Sequence, residues 1–211
     1  MVFTSWLDSV RCRLGKRLAG KRRRRSQRSG SRLECLEDRT LLSVSALFSN
    51  GVLSINAVDD NEPDSIEVGA DGMGNVHVRA NGVTVTSLGS LPASNVEEIN
   101  ISGGDGSNTI DLSGVTTAAY DNPNLTVHVD GGNGHDTILG TADADDVLDG
   151  GHGNDVITGG TGINSIDGNH GHDTIDGGGG NDILRGSDGD DVMLRGDGDD
   201  DIDGGDGNDT I

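Results

Sequence analysis

The sequence predicts an all-β fold: a solenoid of stacked nonapeptide repeats, preceded by irregular β-strands and a disordered basic N-terminus. Three observations carry this. First, residues 150–211 divide without a break into units of nine, GGHGNDVIT, GGTGINSID, GNHGHDTID, GGGGNDILR, GSDGDDVML, RGDGDDDID and GGDGNDTI. Second, the units share a frame, with Gly at position 4, Asp or Asn at position 6 and a large apolar residue at position 8. A fixed short period marks a quasi-one-dimensional stack. Third, the chain is 31% hydrophobic and 2% aromatic with 36 glycines, which leaves it short of material for an ordinary core.

Each unit reads as a turn followed by a strand. Gly at positions 1, 2 and 4 suits a tight turn with positive φ. The Asp-x-Ile-x alternation that follows is a short strand with one face inward and one outward. Two units make one coil, so residues 18 apart stack. Asp155, Asp173, Asp191 and Asp209 then line one edge, and Asn164, Asp182 and Asp200 line the other. Carboxylates at about 5 Å, the spacing of stacked strands, repel one another strongly in a partly buried site. A cation must neutralise them. Turn carbonyls and carboxylates are hard oxygen donors, a set that suits Ca2+.

The unit GGxGxDxUx resembles the nonapeptide of RTX-type calcium-binding proteins, the hemolysin-type repeats; the same pattern is a standard worked example of a repeat signature. Gly131–Leu139 (GGNGHDTIL) and Gly150–Thr158 match at every position, and residues 103–111 match with Asn108 in place of Asp. The resemblance implies a parallel β-roll, a right-handed β-helix, over 131–211, with Ca2+ between stacked turns. It also implies a ligand set: the side chains of Asp136, Asp145, Asp155, Asn164, Asp173, Asp182, Asp191, Asp200 and Asp209. To these it adds turn carbonyls around Gly151, Gly153, Gly160, Gly162, Gly171, Gly178, Gly180, Gly189, Gly198, Gly205 and Gly207. Three sites between turns are expected on one edge of 150–211 and two on the other, about five ions or more in total. Asn108 and Asn164 lack the charge, and Arg195 replaces a position-1 Gly. Gly140–Leu148 (GTADADDVL) places Asp145 at position 6 and Val147 at position 8, with Asp149 as an extra residue absorbed by a strand bulge.

The remaining chain divides in two. Residues 1–40 hold 12 of the 15 Lys and Arg and four acids, a charge of about +8; the rest carries about −29. Residues 1–43 are therefore a separate basic, export-type segment. Its Leu33–Ser43 (LECLEDRTLLS) resembles the LEPR-XLL segment of large repetitive bacterial proteins, with Asp38 in place of Pro. That resemblance implies a bacterial, exported protein, extracellular or at the cell surface. No apolar run is long enough for a signal h-region or a membrane span. Cys12 and Cys35 offer neither a disulfide framework nor metal spacing. Residues 44–130 read as irregular β-rungs or a β-cap. Strands are predicted at 52–57, 65–68, 75–80, 82–86, 96–102 and 125–130, Asn81-Gly82 is a hairpin turn, and Tyr120–Pro123 is a loop.

Catalysis finds no support. Four of the six histidines (His135, His152, His170, His172) occupy variable turn positions. There is no H-E-x-x-H helix, no G-x-S-x-G elbow and no P-loop, and Asp197–Asp203 fails as an EF-hand. The function expected is calcium binding by a secreted or surface structural module that folds on binding. The alternatives are the non-catalytic repeat portion of an exported protease or lipase, or an adhesin stalk. The implied partner is calcium; nucleic acid is not expected, and a surface or matrix partner stays open. The final repeat stops at position 8 with no cap, so a fragment of a longer protein is expected.

Overall fold

The structure, a computed structural model, describes residues 44–57 and 62–211. The basic segment expected to be disordered, its LEPR-XLL-like stretch and both cysteines lie outside the described residues. The chain winds between two facing sheets. β1 (Val44–Ser49) and β2 (Val52–Ala57) open the first; β3 (Ser65–Ala70), β4 (Val76–Ala80) and β5 (Val83–Thr84) open the second. From β6 (Glu98–Ser102) and β7 (Thr109–Gly114) onward, successive strands alternate between sheets. They are β8 (Thr126–Asp130), β9 (Thr137–Leu139), β10 (Asp145–Asp149), β11 (Val156–Gly160), β12 (Ser165–Asp167), β13 (Thr174–Gly178), β14 (Ile183–Arg185), β15 (Val192–Leu194) and β16 (Asp201–Asp203).

The sheet orders are β1-β2-β6-β8-β10-β12-β14-β16 and β15-β13-β11-β9-β7-β3-β4-β5. All pairings from β2 to β16 in the first sheet, and from β3 to β15 in the second, are parallel. This is the parallel β-roll expected from the repeats, and both sheets run through residue 130 without interruption. Its first rungs carry antiparallel strands. β1 returns on β2 through Asn50-Gly51, and β4 turns into β5 through Asn81-Gly82, with positive φ at all four turn residues. That pair of conformations defines the hairpin turn that Asn-Gly favours. The second hairpin was expected from sequence; the first, and strand β1 itself, were not.

The register fixes the stack. Ile157 lies beside Ile175 and Ile175 beside Met193, while Ile166 lies beside Leu184 and Leu184 beside Ile202. Position 8 points inward from Ile138 to Met193: Ile138, Leu148, Ile157, Ile166, Ile175, Leu184 and Met193 are all buried. Position 7 points outward, as at the exposed Val156, Ile183 and Val192. The earlier strands are richer inside. β2, β3, β6, β7 and β8 each bury two large apolar residues: Leu53 and Ile55, Ile66 and Val68, Ile99 and Ile101, Ile110 and Leu112, Val127 and Val129.

Two expectations are corrected. The segment Tyr120–Pro123 does not form a plain loop: Thr117–Tyr120 is one turn of helix, α1, capped by the Thr116 hydroxyl. Tyr120 is fully buried, and its hydroxyl donates to the Gly69 carbonyl at 3.3 Å. The chain's only tyrosine thus fills the interior at this coil, with its polar end satisfied. The second correction concerns residues 140–149. Val147 pairs with Ser165 and is exposed; Leu148 pairs with Ile166 and is buried. Position 8 is thus Leu148 and position 6 is Asp146, not Asp145. The extra residue sits in the turn, not in a strand bulge. There Asp143 caps α1, accepting from the Thr117 N–H at 2.7 Å and the Thr117 hydroxyl at 2.9 Å.

Each inward position-8 side chain touches its neighbours above and below, so truncation leaves a cavity that two rungs share. Ile175→Ala should lower stability by about 2–5 kcal/mol, while Thr174→Ala on the outer face should change it by less than about 0.5 kcal/mol. Thermal unfolding of both variants in saturating calcium measures the contrast.

Candidate metal centre: the stacked turns

The position-6 side chains point into the turns, not out to solvent. Asp136, Asp155, Asp173, Asp182 and Asp191 are each only 1% exposed. One oxygen of each is engaged. Asp136 Oδ1 accepts the Asn108 N–H, Asp155 Oδ1 the Asp136 N–H, and Asp173 Oδ1 the Asp155 N–H, all at 2.7 Å. Asp191 Oδ1 and Asp209 Oδ1 continue the ladder at 2.7 and 3.0 Å. The other edge runs Asp146 N–H to Asn164 Oδ1, Asn164 N–H to Asp182 Oδ1, and Asp182 N–H to Asp200 Oδ1, at 3.3, 2.8 and 2.9 Å. Apart from Asp146, each position-6 Oδ1 from Asp136 onward thus stitches its coil to the one before. These are charge-assisted bonds of the stronger kind, and the repeat pattern alone did not show them.

The second oxygen has no such partner. Oδ2 of Asp136, Asp155, Asp173, Asp182, Asp191 and Asp200 is buried with no hydrogen bond. Its surroundings explain why position 1 is Gly. A Cβ on Gly150 would lie 2.6 Å from Asp155 Oδ2 and 2.9 Å from the Gly168 carbonyl oxygen. A Cβ on Gly177 would lie 2.6 Å from Asp182 Oδ2 and 2.8 Å from the Arg195 carbonyl oxygen. Gly131 stands likewise between Asp136 Oδ2 and the Gly150 carbonyl, at 2.7 and 2.5 Å. The position-1 glycine therefore keeps open a small cradle walled by a carboxylate oxygen and the carbonyl of the next coil. Position 4 meets a second constraint: a Cβ on Gly153, Gly171, Gly189 or Gly198 would overlap the position-4 carbonyl of the coil before, at a φ of 137° to 150°.

The asparagines show what the cradle asks for. Asn164 Nδ2 donates to the Gly162 carbonyl at 3.1 Å and the Gly177 carbonyl at 3.2 Å. Asn108 Nδ2 donates to the carbonyls of Gly103 and Gly106, both at 3.1 Å. Where an amide replaces the carboxylate, its two protons satisfy the carbonyls of positions 1 and 4. Where Asp stands, three acceptors face one another and nothing donates. A hard cation supplies what is missing, and the oxygen set fits one. Among the described residues no three His, Cys, Asp or Glu side chains form a metal-holding group, so most ligands would be carbonyls. The carbonyls of Gly151, Gly160 and Gly178 at position 2 already accept the N–H of His170, Gly179 and Asp197. Those of position 1, which sequence reasoning did not single out, face the cradle.

Asp146 is different again. Its Oδ2 accepts the Thr141 N–H at 2.7 Å, and the Thr141 hydroxyl lies 3.0 and 3.1 Å from its two oxygens. Asp145, in the place of a position-5 residue, accepts the Ile163 N–H at 2.7 Å. It belongs to an outer ladder in which position-5 side chains accept the position-5 N–H of the following coil. His135 Nδ1 accepts from Asn154, Asn154 Oδ1 from His172, and His172 Nδ1 from Asp190, at 2.7, 3.1 and 2.7 Å. The turn histidines are exposed, as expected, and two of them have this structural task.

Burial without a counter-charge disfavours the ionised carboxylate. It pushes Asp136 and Asp173 up to about 7 and raises Asp155 and Asp182 above the ordinary range. Asp146 also rises to about 7 through burial, opposed by its bonds to Thr141.

Cradles of this kind, repeated every coil, define a calcium-type β-roll. Residues 130–211 are RTX calcium-binding nonapeptide repeats, matched in four overlapping copies at 130–166, 149–184, 158–193 and 177–211. This stretch is a calcium-binding repeat module, and the family is a structural one. Neither a curated protein nor a solved structure matches the chain.

The raised values give the metal-free roll a definite pH dependence. The native state holds protons up to about 7 on Asp136 and Asp173, whereas an unfolded aspartate releases them near about 4. Native binds more protons across that window, so stability falls as pH rises through it. In calcium-stripped protein, circular dichroism should show more β signal at pH 5 than at pH 8. With saturating calcium the order should reverse, because protons then compete with the cation.

Proposed function

We propose that the protein is an exported structural module, extracellular or at the cell surface, whose calcium-binding coils fold when they load calcium. The observation that supports this best is the row of buried, unpartnered Oδ2 atoms. An ionised carboxylate held out of water without a partner is strongly unfavourable, and the metal-free roll contains one at turn after turn. Calcium seats are assigned to Asp136, Asp155, Asp173, Asp182 and Asp191, each with the carbonyls of position 4 in its own coil and position 1 in the next. Four lie on one edge and one on the other. Asp200 and Asp209 lie in the last coil described, so the position-1 carbonyl of a following coil is not among the described residues, and no seat is assigned there. Ion binding then becomes folding free energy.

Export fits the same physics. Extracellular calcium modules have dissociation constants near ~10⁻⁴–10⁻³ M, so the coils would stay open at cytoplasmic calcium and set outside. The strongly acidic repeat surface disfavours nucleic acid as a partner. Among the described residues no helix is long and apolar enough to cross a membrane. Whether the module serves as a stalk or accompanies a hydrolase depends on chemistry that these residues do not supply.

A calcium titration of stripped protein, followed by circular dichroism with magnesium as control, tests the reading. A steep, calcium-specific gain of β signal near ~1 mM is expected; a spectrum indifferent to calcium contradicts it. Asp155→Asn should bind about one ion fewer yet keep its coil, because an amide fills this cradle at Asn164. Asp155→Ala should lose the ion and also leave the Asp136 N–H without its acceptor, at about 1–3 kcal/mol.

A further inference from the structure

The turns are not all of one kind, and their distribution along the roll is uneven. On the edge that precedes the second sheet, Asp64 accepts from the Asn81 amide at 2.8 Å, the next turn is closed by the Asn108 amide, and those that follow are open. On the other edge, closure lasts longer. The coil passes through α1 with the buried Tyr120, then through the turn where Thr141 saturates Asp146, then through Asn164, before the first open cradle at Asp182. The closed turns therefore concentrate toward the N-terminal end of the roll.

Apolar packing follows the same gradient. Strands β2, β3, β4, β6, β7 and β8 bury two large apolar side chains each; from β9 onward each buries one, and in β16 Ile202 is only partly covered. At roughly 25 cal/mol per Å2 of apolar surface, halving the inward apolar residues removes a large part of the force that offsets backbone ordering. The hairpins β1–β2 and β3–β4–β5 add antiparallel pairing to the same end. Rungs rich in core and closed by neutral hydrogen bonds have no electrostatic need of a cation. Rungs with one apolar residue and an ionised open cradle do.

We propose that β1 to β8 form a calcium-independent platform, and that the coils from Gly168 to Ile211 order upon it only when calcium is present. Asn108, Asn164 and Thr141 are the residues that close turns against the ion. The inference rests on the calcium reading above and adds to it a direction: loading starts beside the platform and proceeds toward β16. The N–H of each position-6 residue bonds a carboxylate of the next coil, so a settled coil presents the donor that orients the next Asp.

Hydrogen exchange of the full chain, read by mass spectrometry with and without a calcium chelator at pH 7.5, tests this. Peptides from β2 to β8 should keep their protection in chelator to within about tenfold, while those from β13 to β16 lose at least ~100-fold. Uniform loss of protection would overturn the platform while leaving calcium-coupled folding intact. Full protection everywhere in chelator would overturn both. A second variant removes the ambiguity of a merely weak C-terminal end. Asn164→Asp opens a closed turn, so native mass spectrometry should count about one more ion, and β12 should lose its protection in chelator. An unchanged ion count with β12 still protected would overturn the role given to the amide.

Discussion

The roll depends on one buried side chain used in two ways. At position 6, Oδ1 bonds the backbone of the preceding coil and Oδ2 faces carbonyls with no donor among them. The first use builds the stack; the second leaves an electrostatic debt in every open turn. Other features of the repeat follow from making room for this. Position 1 is Gly because a Cβ would occupy the cradle, as at Gly150 and Gly177. Position 4 is Gly because the coil before it is too close for any side chain. Positions 3 and 5 face solvent and vary, which is where four of the six histidines are found.

This arrangement replaces part of a hydrophobic core with coordination. A rung from β9 onward buries a single large apolar residue, and a chain with 2% aromatic residues cannot do much better. Such a rung is too thin to offset the ordering of a glycine-rich backbone. It becomes adequate when an ion joins two coils. The N-terminal rungs use the older solution of apolar layers, a plugging tyrosine and hairpin edges. On the proposed reading the two parts respond to calcium differently while sharing the same sheets.

Much of this was legible in the sequence. The period of 18 set which aspartates stack, and the pairing of Ile157 with Ile175 reproduces it. Asn81-Gly82 marked its hairpin because that dipeptide takes positive φ twice at little strain. Asn50-Gly51 carries the same mark, but strand β1 was obscured by its place beside the basic segment. The shift from Asp145 to Asp146 was out of reach, because adjacent aspartates satisfy the repeat equally. Only the inward direction of Leu148 decides between them. The closure of that turn by Thr141 and the ladder through Oδ1 are contacts between coils, and a linear pattern does not display contacts. The two asparagines looked like weakened sites because they lack charge; in the structure they are turns that have been completed.

The central claim is that the spare carboxylate oxygen marks the seat of the ion. Anomalous diffraction from crystals grown with calcium, collected at long wavelength, locates the ions directly. Peaks are predicted beside Oδ2 of Asp136, Asp155, Asp173, Asp182 and Asp191, with none in the turns of Asn108, Asn164 and Asp146. Peaks confined to the outer face, along the column of Asp130, Asp149 and Asp167, would contradict the account.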